Sequence, residues 1–129
     1  MNRLSHYLVF FGSLFFAFLS FNAAAQAAEE SYKNTVSPII RNYCLACHQP
    51  GGQGFEKNGL DMRTYKSLMK GTKFGPVIKP GDGFTSVFIM AIEGRVHPSI
   101  KMPYGVQGGL SKDKIAVLKR WVEQGAKNN

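Results

Sequence analysis

Apolar positions along the chain fall into one dense run and four periodic stripes. The run spans 8–21, from Leu8 to Phe21, and is interrupted by Gly12 and Ser13. The first stripe follows at 31–43, where Tyr32, Val36, Ile39, Ile40 and Tyr43 recur at threes and fours, the spacing of one helical face. Pro38 sits inside it and lacks the N–H that a helix interior needs, so the helix should begin in earnest at Ser37 and Pro38. A second pattern, Leu60, Met62, Tyr65, Leu68 and Met69, predicts a short helix with Thr64 as N-cap and Gly71 as its stop. Phe84, Val87, Phe88 and Ala91 predict another, closed by Gly94. The clearest comes last: Ser111 as N-cap, Asp113 in the first turn where it suits the helix dipole, a stripe of Ile115, Leu118, Trp121 and Val122, and Gly125 at the end. Between them, 49–59, 75–83 and 95–109 are rich in glycine, proline and polar residues and read as loops. No segment alternates like a strand for more than a few residues. The prediction is an all-α domain with long ordered loops.

Composition splits the chain in two. Of the charged side chains, only Arg3 falls within the first 28 residues, and all eight acidic residues come later, starting at Glu29. A basic start, an apolar run shorter than the ~20 residues of a membrane span, and small residues at Ala23, Ala25 and Ala27 make a secretory leader. Cleavage after Ala25 or Ala27 satisfies the small-x-small pattern; Ala27 is preferred, giving a leader at 1–27 and a domain at 28–129. Retained, the leader would be the chain's only membrane contact. Cleavage removes Arg3 and no acid, so the net charge of +8 becomes +7. The basic residues are scattered, with no block of like charge, which excludes a nucleic-acid tail. They are either a solvated surface or a means of steering toward an acidic partner.

A domain of about 100 residues gains from a covalent or metal staple. This chain has two cysteines, three positions apart, and a disulfide there would close a tiny loop of little value. The pentapeptide Cys44-Leu45-Ala46-Cys47-His48 gives them another use. Two thiols at i and i+3, on a turn leaving a helix, can add across the two vinyl groups on one edge of a porphyrin. The next residue then falls under the ring, where imidazole can ligate iron. Cys44 and Cys47 are therefore the candidate thioether anchors and His48 the candidate proximal ligand of one haem c. A redox dithiol would need a βαβ setting that the sequence lacks. Zinc would need four protein ligands, and Cys44, Cys47, His48 and His97 offer no second paired knuckle.

Met62, Met69, Met90, Met102 and His97 are the candidates for the opposite face of the iron. The first three lie in helical apolar patterns, where methionine is usually core filler. Met102 lies in a loop between Lys101 and Pro103, and a proline-fixed loop can hold a thioether sulfur over iron. His97 is the runner-up, or else hydrogen-bonds at the rim. A methionine–histidine pair raises the reduction potential relative to two histidines and closes the iron to other ligands. An open iron would point instead to an enzyme or a sensor.

These motifs together resemble a small mono-haem c-type cytochrome. Gly59-Leu60-Asp61-Met62-Arg63, Gly75-Pro76 and Pro80-Gly81-Asp82 with Ser86 are similar to the cytochrome c-like domains of the planctomycete type. The resemblance covers essentially all of 31–126. It implies the cytochrome c fold: three to five short helices around one covalently bound haem, the first and last crossing behind it. It further implies Tyr43 and Trp121 at or near that crossing, Pro76 holding the His48 imidazole through a carbonyl, and Leu60 and Met62 lining the haem pocket. Relatives often read Met-Pro-Pro where this chain has Tyr104 third. The expected function is a periplasmic one-electron carrier, not an enzyme, docking on a redox protein with an acidic surface. The alternatives are a fixed subunit of a periplasmic dehydrogenase complex, and an open-site haem enzyme or sensor if Met102 does not ligate. Nothing in the sequence fixes the oligomeric state.

Overall fold

A computed structural model of the chain describes residues 28–129, so the leader expected at 1–27 lies outside the described residues. A π-helical turn, Tyr32–Val36, runs directly into α1, Ser37–Tyr43, with Pro38 in the first turn of α1. The change of helix type falls where the proline predicted it, because a helix start leaves its first N–H groups unbonded anyway. Tyr32, Val36 and Ile40 are buried and Ile39 partly so. Tyr43 departs from the expected stripe: it is 42% exposed, and the Lys114 ammonium lies 5.4 Å from its ring centroid. It is the last residue of α1, where the chain peels away toward Cys44, and Tyr32 takes the place expected for it beside Trp121.

The stretch expected as a polar loop contains a helix, α2, Gln53–Asn58. It has no buried residue to announce it, and its ends hold it instead. Gly59 closes it in the left-handed region (φ 77°) with its N–H on the Phe55 carbonyl at 2.6 Å. The Phe55 N–H in turn donates to the Cys47 carbonyl at 2.9 Å.

Next comes α3, Tyr65–Lys70, which starts as predicted. Thr64 Oγ1 accepts from the Ser67 N–H at 3.1 Å, and Ser67 Oγ accepts from the Thr64 N–H at 3.2 Å, a reciprocal cap. The following helix, α4, Val87–Glu93, begins three positions later than the pattern suggested. The Asp82 carboxylate explains the delay: it accepts from the Phe84 and Thr85 amides at 3.1 and 2.8 Å and keeps the chain in a turn. Buried Ser86 completes that turn, accepting from the Lys79 N–H at 2.8 Å and donating to the Asp82 carbonyl at 2.6 Å. The buried face of α4 is accordingly Phe88, Ile89 and Ile92, while Phe84 and Val87 are exposed. Residues 95–109 are irregular apart from one 3₁₀ turn, Pro98–Ile100.

The last helix, α5, is Lys112–Glu123, with Leu118, Trp121 and Val122 buried as predicted. Trp121 joins the elements. Its ring lies 5.7 Å from that of Tyr32 and 6.5 Å from that of Tyr65, which themselves meet edge-on at 5.2 Å. One core therefore joins the opening helix, α3, α4 and α5. Among the described residues there are five α-helices and no strand, only an isolated bridge between Thr72 and Gly75, and the all-α expectation holds. No helix among them is long and apolar enough to cross a membrane.

Candidate functional site

The end of α1 makes the site. The Cys44 and Leu45 amides both return to the Ile40 carbonyl, at 2.9 and 3.0 Å. The Cys47 and His48 amides both donate to the Cys44 carbonyl, at 3.2 and 3.1 Å. Residues 44–48 thus form one further turn, which brings positions 44 and 47 to the same side. The two cysteines are not joined to each other. Cys44 is partly buried, and burial pushes its thiol up to about 11, with Cys47 adding to the rise. Cys47 is exposed. Near neutral pH Cys44 is a protonated thiol, the form whose S–H can be added across a carbon–carbon double bond.

His48 is only 6% exposed. Its Nδ1 is buried and has no hydrogen-bond partner among the described residues. Burial lowers its pKa, and the Leu60 backbone carbonyl, which bears on the ring without completing a bond to Nδ1, acts more weakly in the other direction. The neutral imidazole this favours is the form that ligates metals. The resemblance implied that the Pro76 carbonyl would hold this ring. It makes no bond to Nδ1, and Pro76 itself is exposed. The reason is local: the chain folds back at once after His48, so that the Met62 N–H binds the His48 carbonyl at 2.8 Å and the segment at 60–62 takes the adjoining position. Leu60 and Met62 are both buried there.

Met102 is partly buried and packs against the same core as Cys44 and Leu45. Its N–H donates to the Ala91 carbonyl at 3.0 Å, tying the irregular segment to α4. Met62 and Met69 belong to the core or pack on it. His97 is exposed, with Nδ1 2.9 Å from Ser99 Oγ and accepting from the Ser99 N–H at 3.3 Å, where it caps the 3₁₀ turn. Among the described residues no three histidine, cysteine or acidic side chains gather at a common metal site.

The donor set fits a covalently held haem. Two free thiols lie one turn apart, a buried and unsatisfied imidazole follows them, and the Met102 thioether packs on the same core. Sequence reasoning passed over Gly52 and Gly54, which sit tightly against this turn. Their only signal was the density of glycine directly after the motif. The Leu60 carbonyl was also missed, since a backbone group leaves no trace in residue type.

An all-α fold organised on a Cys-x-x-Cys-His turn is the arrangement of a cytochrome c-like domain, and a family match supports that class. Residues 44–103 match the family described as planctomycete cytochrome C. Neither the curated proteins nor the solved structures contain a match to the chain. Such a domain implies haem c and haem-based electron transfer.

Proposed function

We propose that this protein is a periplasmic one-electron carrier, exported by a leader at 1–27 that is removed, with residues 28–129 as the functional domain. Cys44 and Cys47 would hold the haem as thioethers, and His48 and Met102 would ligate its iron. One observation carries the reading: the Cys44–His48 turn ends in a buried imidazole with an orphaned nitrogen, on a core against which Met102 also packs.

Bound there, the haem supplies a one-electron iron couple whose potential follows its axial ligands and surroundings. The residues around it do the rest. Burial lowers the His48 pKa and so favours the neutral ring, whose lone pair can bind a metal. The Met62 N–H and the contact of α2 with Cys47 hold its backbone still. The Ala91 carbonyl fixes the backbone of Met102, and a pair of fixed ligands leaves little room for reorganisation when charge changes. If His48 and Met102 both hold the iron, they would leave no open position on it for oxygen or a substrate. A basic domain of this kind suits a redox partner with an acidic docking surface.

The test is Met102→Ala in haem-loaded protein. The parent should be low-spin in both oxidation states and show the weak far-red band of iron–sulfur(methionine) ligation when oxidised. The variant should lose that band, turn high-spin or take up a foreign ligand, and fall in potential. An unaltered spectrum would remove Met102 from the site and favour an open-site enzyme or sensor.

A further inference from the structure

Gly54 lies where any side chain would strike the candidate proximal histidine. A Cβ built there falls 2.7 Å from His48 Cε1, 2.9 Å from Nδ1 and 3.0 Å from the Cys47 carbonyl oxygen. Gly54 is in the first turn of α2 with ordinary helical backbone, so glycine is needed for close approach and not for its conformational freedom. Two residues earlier, a Cβ at Gly52 would fall 2.5 Å from the Cys47 oxygen, 2.8 Å from its carbonyl carbon and 2.9 Å from the Ala46 oxygen. Those are main-chain atoms and cannot swing aside. The Phe55 N–H on the Cys47 carbonyl closes the same contact at 2.9 Å. The start of α2 therefore rests directly on the turn that carries both thiols and the imidazole.

The second observation is the orphaned Nδ1 of His48. Metal-binding histidines usually donate their other ring N–H to a carbonyl or carboxylate, which fixes the ring's rotation. The Leu60 carbonyl bears on the ring, but no such bond is completed at this nitrogen among the described residues, so packing shares in setting the rotation. On the Nδ1–Cε1 edge the ring is approached so closely by Gly54 that no side chain fits between them.

We propose that Gly52 and Gly54 together form a positioning device for His48, with Gly54 setting the rotation of the imidazole about its own axis and Gly52 letting α2 come close enough to do so. Gly54 is a positioning residue; it touches no iron. The inference rests on His48 being an axial ligand. Rotation matters because the overlap of imidazole and iron orbitals depends on the ring plane.

The test compares haem-loaded parent, Gly54→Ala and Gln53→Ala. Gln53 is exposed, and its change likewise places alanine in α2 but away from the ring. In the reduced, diamagnetic parent, the Gly54 Hα protons should give a strong proton–proton Overhauser contact to His48 Hε1. Gly54→Ala should shift the ferric low-spin g-values and the midpoint potential, or lose the low-spin state, while Gln53→Ala keeps the parent's values. Alanine favours helix over glycine. A Gly54→Ala protein with parental g-values and potential would therefore overturn the proposal, as would a missing Overhauser contact in the parent. If Gly54→Ala fails to mature, the parental contact decides alone. Failure of the axial-ligand reading looks different: the parent itself lacks haem, or His48→Ala leaves its spectrum unchanged, and the proposal falls with it.

Discussion

At the scale of single residues, the two cysteines stand in unlike surroundings although they are three positions apart. Cys44 packs on the core and its thiol is pushed to about 11, by burial first and by Cys47 second. Cys47 is exposed. Only the thiolate attacks an alkylating reagent, and at pH 8 a thiol of that pKa is ionised to roughly one part in a thousand. In protein made without haem, iodoacetamide should label Cys47 well ahead of Cys44, by about tenfold or more. The Cys44 rate should keep rising with pH until it levels off near 11. Peptide mass mapping of a timed reaction checks both, and equal labelling at pH 8 would contradict the burial that seats Cys44.

At the scale of elements, α4 and α5 are joined by Glu93, which accepts from Lys119 at 3.0 Å and from Arg95 at 2.5 Å. Burial raises its pKa, but the hydrogen bonds and charges of Lys119 and Arg95 outweigh it, and the carboxyl ends below its ordinary value. A depressed carboxyl contributes stability above its unfolded pKa, and that contribution is lost as pH falls through the folded value. Glu93→Gln should therefore cost about 1 kcal/mol or less at pH 7, because the partners are partly solvated. The gap should close in acid, as urea melts at pH 7 and at pH 3 would show. The elements also mark how far the sequence could be read. The start of α1, the Thr64 cap of α3 and the buried stripe of α5 were legible because capping residues and periodicity act over neighbouring positions. The true start of α4 was not, because the Asp82 carboxylate holds Phe84 and Thr85 in a turn although they continue an apolar pattern. Helix α2 was hidden for the opposite reason: what holds it is contact with the Cys47 backbone, not an apolar face of its own.

At the scale of the whole molecule, the beginning and end of the described chain are fastened together. The Asn129 Oδ1 accepts from the Tyr32 N–H at 2.8 Å, its carbonyl accepts from the Lys33 N–H at 3.0 Å, and Arg120 donates to Glu30 at 2.6 and 2.9 Å. Asn129→Ala should cost about 1 kcal/mol and speed hydrogen exchange at the Tyr32 amide. Trp121→Ala, which empties the centre of the Tyr32–Tyr65–Trp121 cluster, should cost about 3–5 kcal/mol in a denaturant melt. The pairing of the cysteine motif with a buried histidine was legible from the sequence, since five consecutive residues carry it. The packing of α2 onto that histidine was not, since it depends on two glycines whose role is to leave space. All of this converges on one claim, that the turn at Cys44–His48 holds a haem through two thioethers. The most direct test is the intact mass of the chain produced in an export-competent host with haem attachment, beside Cys44→Ala and Cys47→Ala. The account predicts a parent heavier by one haem that survives denaturation, and single-cysteine variants in which attachment is weakened or lost. A parent with the mass of the bare polypeptide, matured under conditions that load another c-type cytochrome, would contradict it.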